Sequence, residues 1–310
     1  MLIKKFSQEY FSIWNEFVKN SKQGTFLLNR DYMDYHSDRF IDYSLMFYNE
    51  KDNLIALLPA NIKDSVLYSH QGLSYGGLIY GKEAKTIDIL NCFKSLKDYA
   101  PQLNIKQLIY KRIPSVYYSY PADEDLYALF RNDAKLIRRD IGYVIDIQNQ
   151  LKWNELRKRC LKKAIKENLI VKISQDYRVY HDLLSHILNI SHDTKPVHSA
   201  EEMELLSLRF SDNIKLICCY RNNQIVSGVL LFIEKNIIHT QYIATSNEGK
   251  DFGAFEVVVN FLLNEFGDKK YLSFGISTEN NGAHLNEGLA QQKESFGARG
   301  VCHDFYQLNF

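Results

Sequence analysis

The chain has 310 residues, 45% of them hydrophobic and 24% charged, with a formal net charge of +1. That length builds one large domain or two of about 150 residues, and near-neutrality leaves no global electrostatic case for DNA, a membrane or an acidic partner. No run approaches the roughly 18 uninterrupted apolar residues of a membrane-spanning helix.

Other global signals agree. The opening MLIKKFSQEYFSIWNEF lacks a long apolar stretch followed by a small-residue cleavage site. The five cysteines (Cys92, Cys160, Cys218, Cys219 and Cys302) are scattered and odd in number, with no C-x-x-C pair. They read as reduced thiols rather than disulfides or a zinc site, so a soluble cytoplasmic protein is expected.

In the first half, residues 43–48, 54–62 and 66–69 read as three short strands rich in β-branched and aromatic residues. A glycine-rich bend, GLSYGGLIYG, leads into a helix carrying Ile89, Phe93, Leu96 and Ala100 on one stripe. Residues 106–111 read as a strand, 123–133 as a helix and 135–147 as an extended return. The glycines beside Tyr75 and Gly76 allow either a close backbone approach to a substrate or a bulged strand. Tyr75 and the segment YYSYPADED (117–125) suit a sugar ring or a peptide.

Between the halves, LKWNELRKRCLKKAIKENL (151–169) places Leu156, Cys160, Leu161, Ala164, Ile165 and Leu169 on one helical face. Lys152, Arg157, Lys158, Arg159, Lys162, Lys163 and Lys166 occupy the remainder. The plain reading is a docked helix with a solvated face; the sharper one is a surface for a phosphate or an RNA backbone.

The second half is clearer. Residues 214–220, 224–233 and 237–245 form an expected antiparallel meander joined by short polar turns. Phe255, Val258, Val259, Leu262, Leu263 and Phe266 then give a helical stripe closed by Gly267. Residues 270–276 read as a strand, 283–296 as a helix stopped by Gly297, and 301–308 as a last strand. Both halves therefore run β-β-β-α-β-α-β, an α/β (α+β) chain divided at 1–150 and 151–310.

That element order resembles the GCN5-related N-acetyltransferase (GNAT) superfamily. Tandem copies look like the Fem-type aminoacyltransferases and acetyltransferase-like relatives linked to cell-surface polysaccharide. The resemblance rests on Lys195-Pro-Val-His198-Ser199, on His239-Thr-Gln-Tyr242-Ile-Ala-Thr-Ser246, on Glu248-Gly-Lys-x-x-Gly253-Ala254, and on the stretch FGISTENNGAHLNEGL (274–289) with its extension to Gly297. It implies two GNAT-like domains, each a mixed, mostly antiparallel sheet flanked by helices.

The resemblance further implies acyl-CoA (acetyl-CoA) as donor and an amine of an amino sugar or related cell-envelope precursor as acceptor. Backbone groups of Tyr242, Ile243, Ala244 and Thr245 would pair with the pantetheine arm. A turn containing Glu248, Gly249, Lys250, Gly253 and Ala254 would hold the pyrophosphate at a helix N-terminus. Asp251 and Phe255 depart from the family's pattern there. Glu279, at a strand end, is the candidate base, with His198 as a loop base and Tyr306 as an acid. Tyr75, Gly76, His239, Ser277, Asn280 and His284 are the candidate acceptor contacts.

No Ser-His-Asp or Cys-His triad and no metal-ligand spacing emerges, so direct transfer without a metal or a covalent intermediate is expected. Two alternatives stand beside this reading. One is a Fem-type transferase using aminoacyl-tRNA, favoured by the basic helix; the other is a non-catalytic binding protein on the same fold.

Overall fold

The computed structural model describes residues 1–192 and 194–310, without the side chains of His36, Ser191 and His192. The chain opens with β1 (Leu2–Lys5), α1 (Phe11–Asn20) and α2 (Arg30–Met33). Four strands follow, β2 (Leu45–Tyr48), β3 (Leu54–Leu58), β4 (Asn61–Lys63) and β5 (Val66–Tyr68). The expected strand 54–62 is broken at Pro59, which has no N–H to give to a ladder. Next come β6 (Ile79–Tyr80), α3 (Thr86–Tyr99), β7 (Gln107–Lys111), α4 (Glu124–Arg131) and β8 (Lys135–Asp146).

The charged segment forms α5 (Glu155–Lys166), capped by the Asn154 side chain. It is followed by β9 (Ile170–Ser174), α6 (Tyr177–His192) and α7 (Ala200–Arg209). Helix α7 begins with a capping box in which Ser199 accepts from Glu202 N–H and the Glu202 carboxylate accepts from Ser199 N–H. Both bonds satisfy donors a helix start leaves open, so Ser199→Ala is expected to cost about 1 kcal/mol in chemical denaturation. The meander is β10 (Ile214–Arg221), β11 (Gln224–Ile233) and β12 (Ile237–Thr245). Then follow α8 (Asn247–Phe252), α9 (Ala254–Glu265), β13 (Tyr271–Ile276), β14 (Thr278–Glu279), β15 (His284–Leu285), α10 (Glu287–Ser295) and β16 (Arg299–Asn309).

The chain folds as two compact units. The first contains Met1–Ile141, Thr278–His284 and Cys302–Phe310; the second contains Gly142–Ser277 and Leu285–Val301. A single division after residue 150 therefore misses an exchange of segments. The last strand of the second half, β16, pairs antiparallel with β7 in the first unit, Phe305 opposite Lys111 and Leu308 opposite Leu108. The end of β8, in turn, pairs with β13 in the second unit, Tyr271 opposite Asp146 and Leu272 opposite Ile145. Periodicity reports which residues share a face, but not which strand lies alongside, so element order alone concealed the exchange.

The first unit holds a sheet β1-β2-β3-β6 and the strands β4-β5-β7-β16. Its core gathers Leu45, Phe47, Leu67, Tyr80, Phe93, Leu108 and Tyr110, all 3% exposed or less. The second unit carries strands in the order β8-β13-β12-β11-β10-β9. Each unit has a parallel strand pair closed by a crossover helix: β5 with β7 around α3, and β12 with β13 around α9.

Candidate active site

The second unit opens at its parallel strand pair. Strand β12 pairs with β11 in register, but Leu230 faces Tyr242 while Leu231 faces Thr240, so Gln241 is an extra residue. A bulge of this kind bends its strand and increases the local twist. On its other edge β12 pairs with β13 at Ile237–Tyr271, Ile238–Leu272 and His239–Ser273, where the register ends. Beyond that point β12 runs on to Thr245 and β13 to Ile276, forming a fork. Side chains stitch its base: His239 Nδ1 lies 3.0 Å from Ser273 Oγ, and Thr240 Oγ1 donates to the Ser273 carbonyl at 3.1 Å.

At the end of β13 the backbone turns through Gly275, whose φ of +71° lies in the left-handed region. Lys293 reaches this end from α10 and donates to the carbonyls of Gly275 (3.0 Å) and Ile276 (2.6 Å). The residue is only 5% exposed, and burial pulls its ammonium down to about 7. A neutral amine has two N–H donors and one lone pair. With both donors held by carbonyls, the lone pair is the remaining function. One residue beyond Ile276, Ser277 is 1% exposed and its Oγ has no hydrogen-bond partner among the described residues.

No protein-family model matches the sequence, and no curated protein does. Solved structures do match. FemX is 11% identical, covers 100% of this chain and 98% of its own, and superposes with a TM-score of 0.70. L-PGS from Bacillus licheniformis is 10% identical, with 98% and 92% covered and a TM-score of 0.60. A tandem GNAT protein from the clavulanic acid biosynthesis pathway is 8% identical, with 99% and 98% covered and a TM-score of 0.50. The chain has a Fem-like tandem GNAT fold.

In that fold the turn between β12 and α9 is the expected seat of a donor's diphosphate, and the residues here are otherwise engaged. Between strand and long helix lies α8, started by the Ser246 side chain accepting from Gly249 N–H at 2.9 Å. Glu248 pairs with Arg221 at 2.5 Å, and the Arg221 guanidinium also lies 3.8 Å from the Phe252 ring centre. A Cβ at Gly249 would stand 2.2 Å from the Val226 carbonyl, and one at Gly253 would stand 2.4 Å from the Cys160 carbonyl of α5. Ala254 is fully buried, while Lys250 and Asp251 are exposed. Gly253 thus admits α5 rather than a phosphate, and the first turn of α9 presents Glu256, held by Arg157 at 2.5 Å. The glycines of this turn and its Glu248 side chain are thus engaged within the protein.

The other expected residues are distributed as follows. Ile243, Ala244 and Thr245 pair with Val229, Gly228 and Ser227 of β11. The Tyr242 carbonyl accepts from the buried Tyr180 hydroxyl at 2.9 Å, while the Tyr242 hydroxyl lies 2.8 Å from His198 Nδ1. His198 is 7% exposed and belongs to the second unit, whereas Glu279 and Tyr306 belong to the first. Tyr306 donates to Asp304 at 3.2 Å. Glu279, Asn280 and His284 are exposed on β14, the adjoining turn and β15. Tyr75 is buried against Tyr117, ring centres 4.7 Å apart, and Gly76 is packed on the Ser69 carbonyl.

Lys293 escaped the sequence reading. Its signal was a cation in line with Ala290 and Phe296, both 4% exposed or less, on the inward side of α10. A lysine at an inward position carries a desolvation penalty that needs a reason.

Proposed function

We propose that the second unit transfers an acyl group from an activated ester or thioester to an amine, with Lys293 as the proton acceptor. The observation that carries this reading is the buried Lys293 amine at the end of β13, its two donors held by carbonyls. A base whose proton affinity lies near neutrality suits removal of a proton from an attacking ammonium. The free amine then adds to the donor's carbonyl, forming the new C–N bond. The Ser277 hydroxyl, buried and unengaged, is suited to donate to the developing oxyanion. Collapse breaks the bond to the donor oxygen or sulfur; the proton held by Lys293 goes to that leaving group, and the adduct nitrogen gives its second proton to the amine thus freed, which returns it to solvent. The products are an amide and the free alcohol or thiol, with no covalent enzyme intermediate.

The donor is read as an aminoacyl ester carried on RNA. This is supported by the closed turn at Gly253 and by Arg159, Lys162, Lys163 and Lys166, all exposed on α5. Acyl-CoA is the second reading, favoured by the fork between β12 and β13, which leaves room for an extended arm to pair with backbone. The acceptor is read as an amine of an amino sugar or related cell-envelope precursor.

The test is a transfer assay with purified protein, amine acceptors and two labelled donors, acetyl-CoA and charged tRNA. Amide formation from charged tRNA alone supports the first donor reading, and formation from acetyl-CoA alone replaces it with the second. If neither donor yields product and neither raises the melting temperature, the transferase reading falls, because a ligand of the native state must stabilise it.

A further inference from the structure

A groove of about 530 Å³ opens between the segment leading into α5 and the outer side of α9, entirely within the second unit. It lies in the size range of small-molecule sites. Trp153, Leu161 and Leu263 supply its apolar surface; Lys152, Lys158 and Asn260 are among its polar groups, and no carboxylate lines it.

Its walls are held in place by packing. Asn154 N–H donates to the Ser295 carbonyl at 2.9 Å. Gly297, at φ +87°, admits the Leu151 carbonyl to within 2.5 Å of where a Cβ would stand. Trp153 sits edge-to-face on Phe296 at 5.0 Å, which leaves its orientation fixed. Arg157 ties α5 to α9 through Glu256 and to α10 through Ser295. Within this rigid frame, Lys152 and the Asn260 amide make no hydrogen bond or ion pair with the described protein, while Lys158 holds only the exposed Glu155.

We propose that this groove binds a phosphorylated ring compound, its ring against Trp153 and its phosphate between Lys152 and Lys158. An indole gives a planar ring a surface to stack on. Lys152 has no acidic partner, and Lys158 is held only by the exposed Glu155, so the two ammonium groups leave positive charge for an anion. An unpaired carboxamide offers two N–H donors and a carbonyl acceptor to a base edge or to sugar hydroxyls. A nucleotide and a sugar phosphate share this chemistry, and the proposal stands apart from the chemistry assigned to the β12–β13 fork.

The chain has two tryptophans, and Trp14 is fully buried with its Nε1–H on the Leu28 carbonyl. A ligand cannot reach the sealed Trp14, so saturable quenching of indole fluorescence that is lost in Trp153→Phe reports on Trp153. Titrations with uridine monophosphate, glucose 1-phosphate, uridine and inorganic phosphate are compared on the whole chain. Saturable quenching by either phosphorylated ring compound is expected, at least about tenfold tighter than by uridine or phosphate alone. Whichever binds more tightly names the source. Lys152→Glu with Lys158→Glu is expected to weaken binding about tenfold or more without lowering the melting temperature, since both side chains lie at the surface. Absence of quenching at millimolar ligand, or quenching unchanged in that double variant, overturns the proposal.

Discussion

Replacing Lys293 with methionine is expected to reduce transfer about 100-fold or more, the usual weight of a positioned base, and to remove a pH dependence from both rate and stability. The base is the neutral amine, so the wild-type rate should climb through a midpoint of about 7 and level above it. For stability the sign follows from proton counting. In the folded chain the amine titrates at about 7, against 10.5 when solvated. Between those values the unfolded chain carries a proton that the folded chain has released, so stability increases with pH across this window. The slope approaches about 1.4 kcal/mol per pH unit, and below the folded value it vanishes because both states are protonated. Urea unfolding between about pH 7 and 9 should show a rise smaller by this contribution in the methionine variant than in the wild type, since Lys111, lowered to about 8, still titrates in both. Lys293→Arg separates charge from proton transfer, because a guanidinium stays protonated throughout. A Lys293→Arg enzyme with undiminished rate would remove Lys293 from the mechanism.

The elements that announced themselves were those with strong local composition. The meander was readable from apolar runs parted by short polar turns, even though β11 is buried on both faces from Val226 to Ile233, and α9 from its helical stripe. What stayed hidden was pairing. The patterns of β8 and β16 are compatible with either sheet, and only tertiary contacts place each beside the other half's strands. The resemblance places acceptor contacts at Ser277, Asn280 and His284 within the stretch FGISTENNGAHLNEGL. Its middle instead serves the first unit: Thr278 donates to Asp140 at 2.8 Å, Asn281 accepts from Arg138 at 3.0 Å, and Gly282 packs on the Arg139 carbonyl. Polar composition marks where a chain turns, but not whether the partner of each polar group is a ligand or another segment.

In each unit a lysine of lowered proton affinity binds carbonyls near the end of the parallel register. In the first, the parallel register of β5 and β7 ends at Tyr68–Ile109, and two residues later Lys111 donates to the Leu73 carbonyl. Burial, with Arg138 nearby, lowers Lys111 to about 8. In the second, the register ends at His239–Ser273, and two residues later Gly275 receives Lys293. At the end of β13 the amine satisfies the Gly275 and Ile276 carbonyls, whereas Lys111 satisfies the Leu73 carbonyl in the loop after β5. Such a lysine is therefore structural and chemically tuned at once.

Gly253→Ala decides what the turn before α9 is for. Gly253 adopts φ +73°, a conformation that costs an L-residue about 1–2 kcal/mol. An added Cβ would also meet the Cys160 carbonyl at 2.4 Å, and both sides of that contact are backbone, so neither yields by a rotamer change. The α5–α9 interface would have to part, disturbing the Arg157–Glu256 pair, whose carboxylate is 6% exposed. The combined loss is expected at about 2–4 kcal/mol in denaturant unfolding. If the glycine instead serves close approach of a donor phosphate, the substitution would raise the donor KM and leave stability within a few tenths of a kcal/mol. Lys250→Ala provides the matching control, since that side chain is exposed on α8 and makes no packing contribution to lose. Packing as the role of Gly253 predicts a large stability loss in the alanine variant and an unchanged donor KM in the Lys250 variant. The reverse pattern, with stability intact and both donor KM values raised, would return the turn to the role of a phosphate cradle.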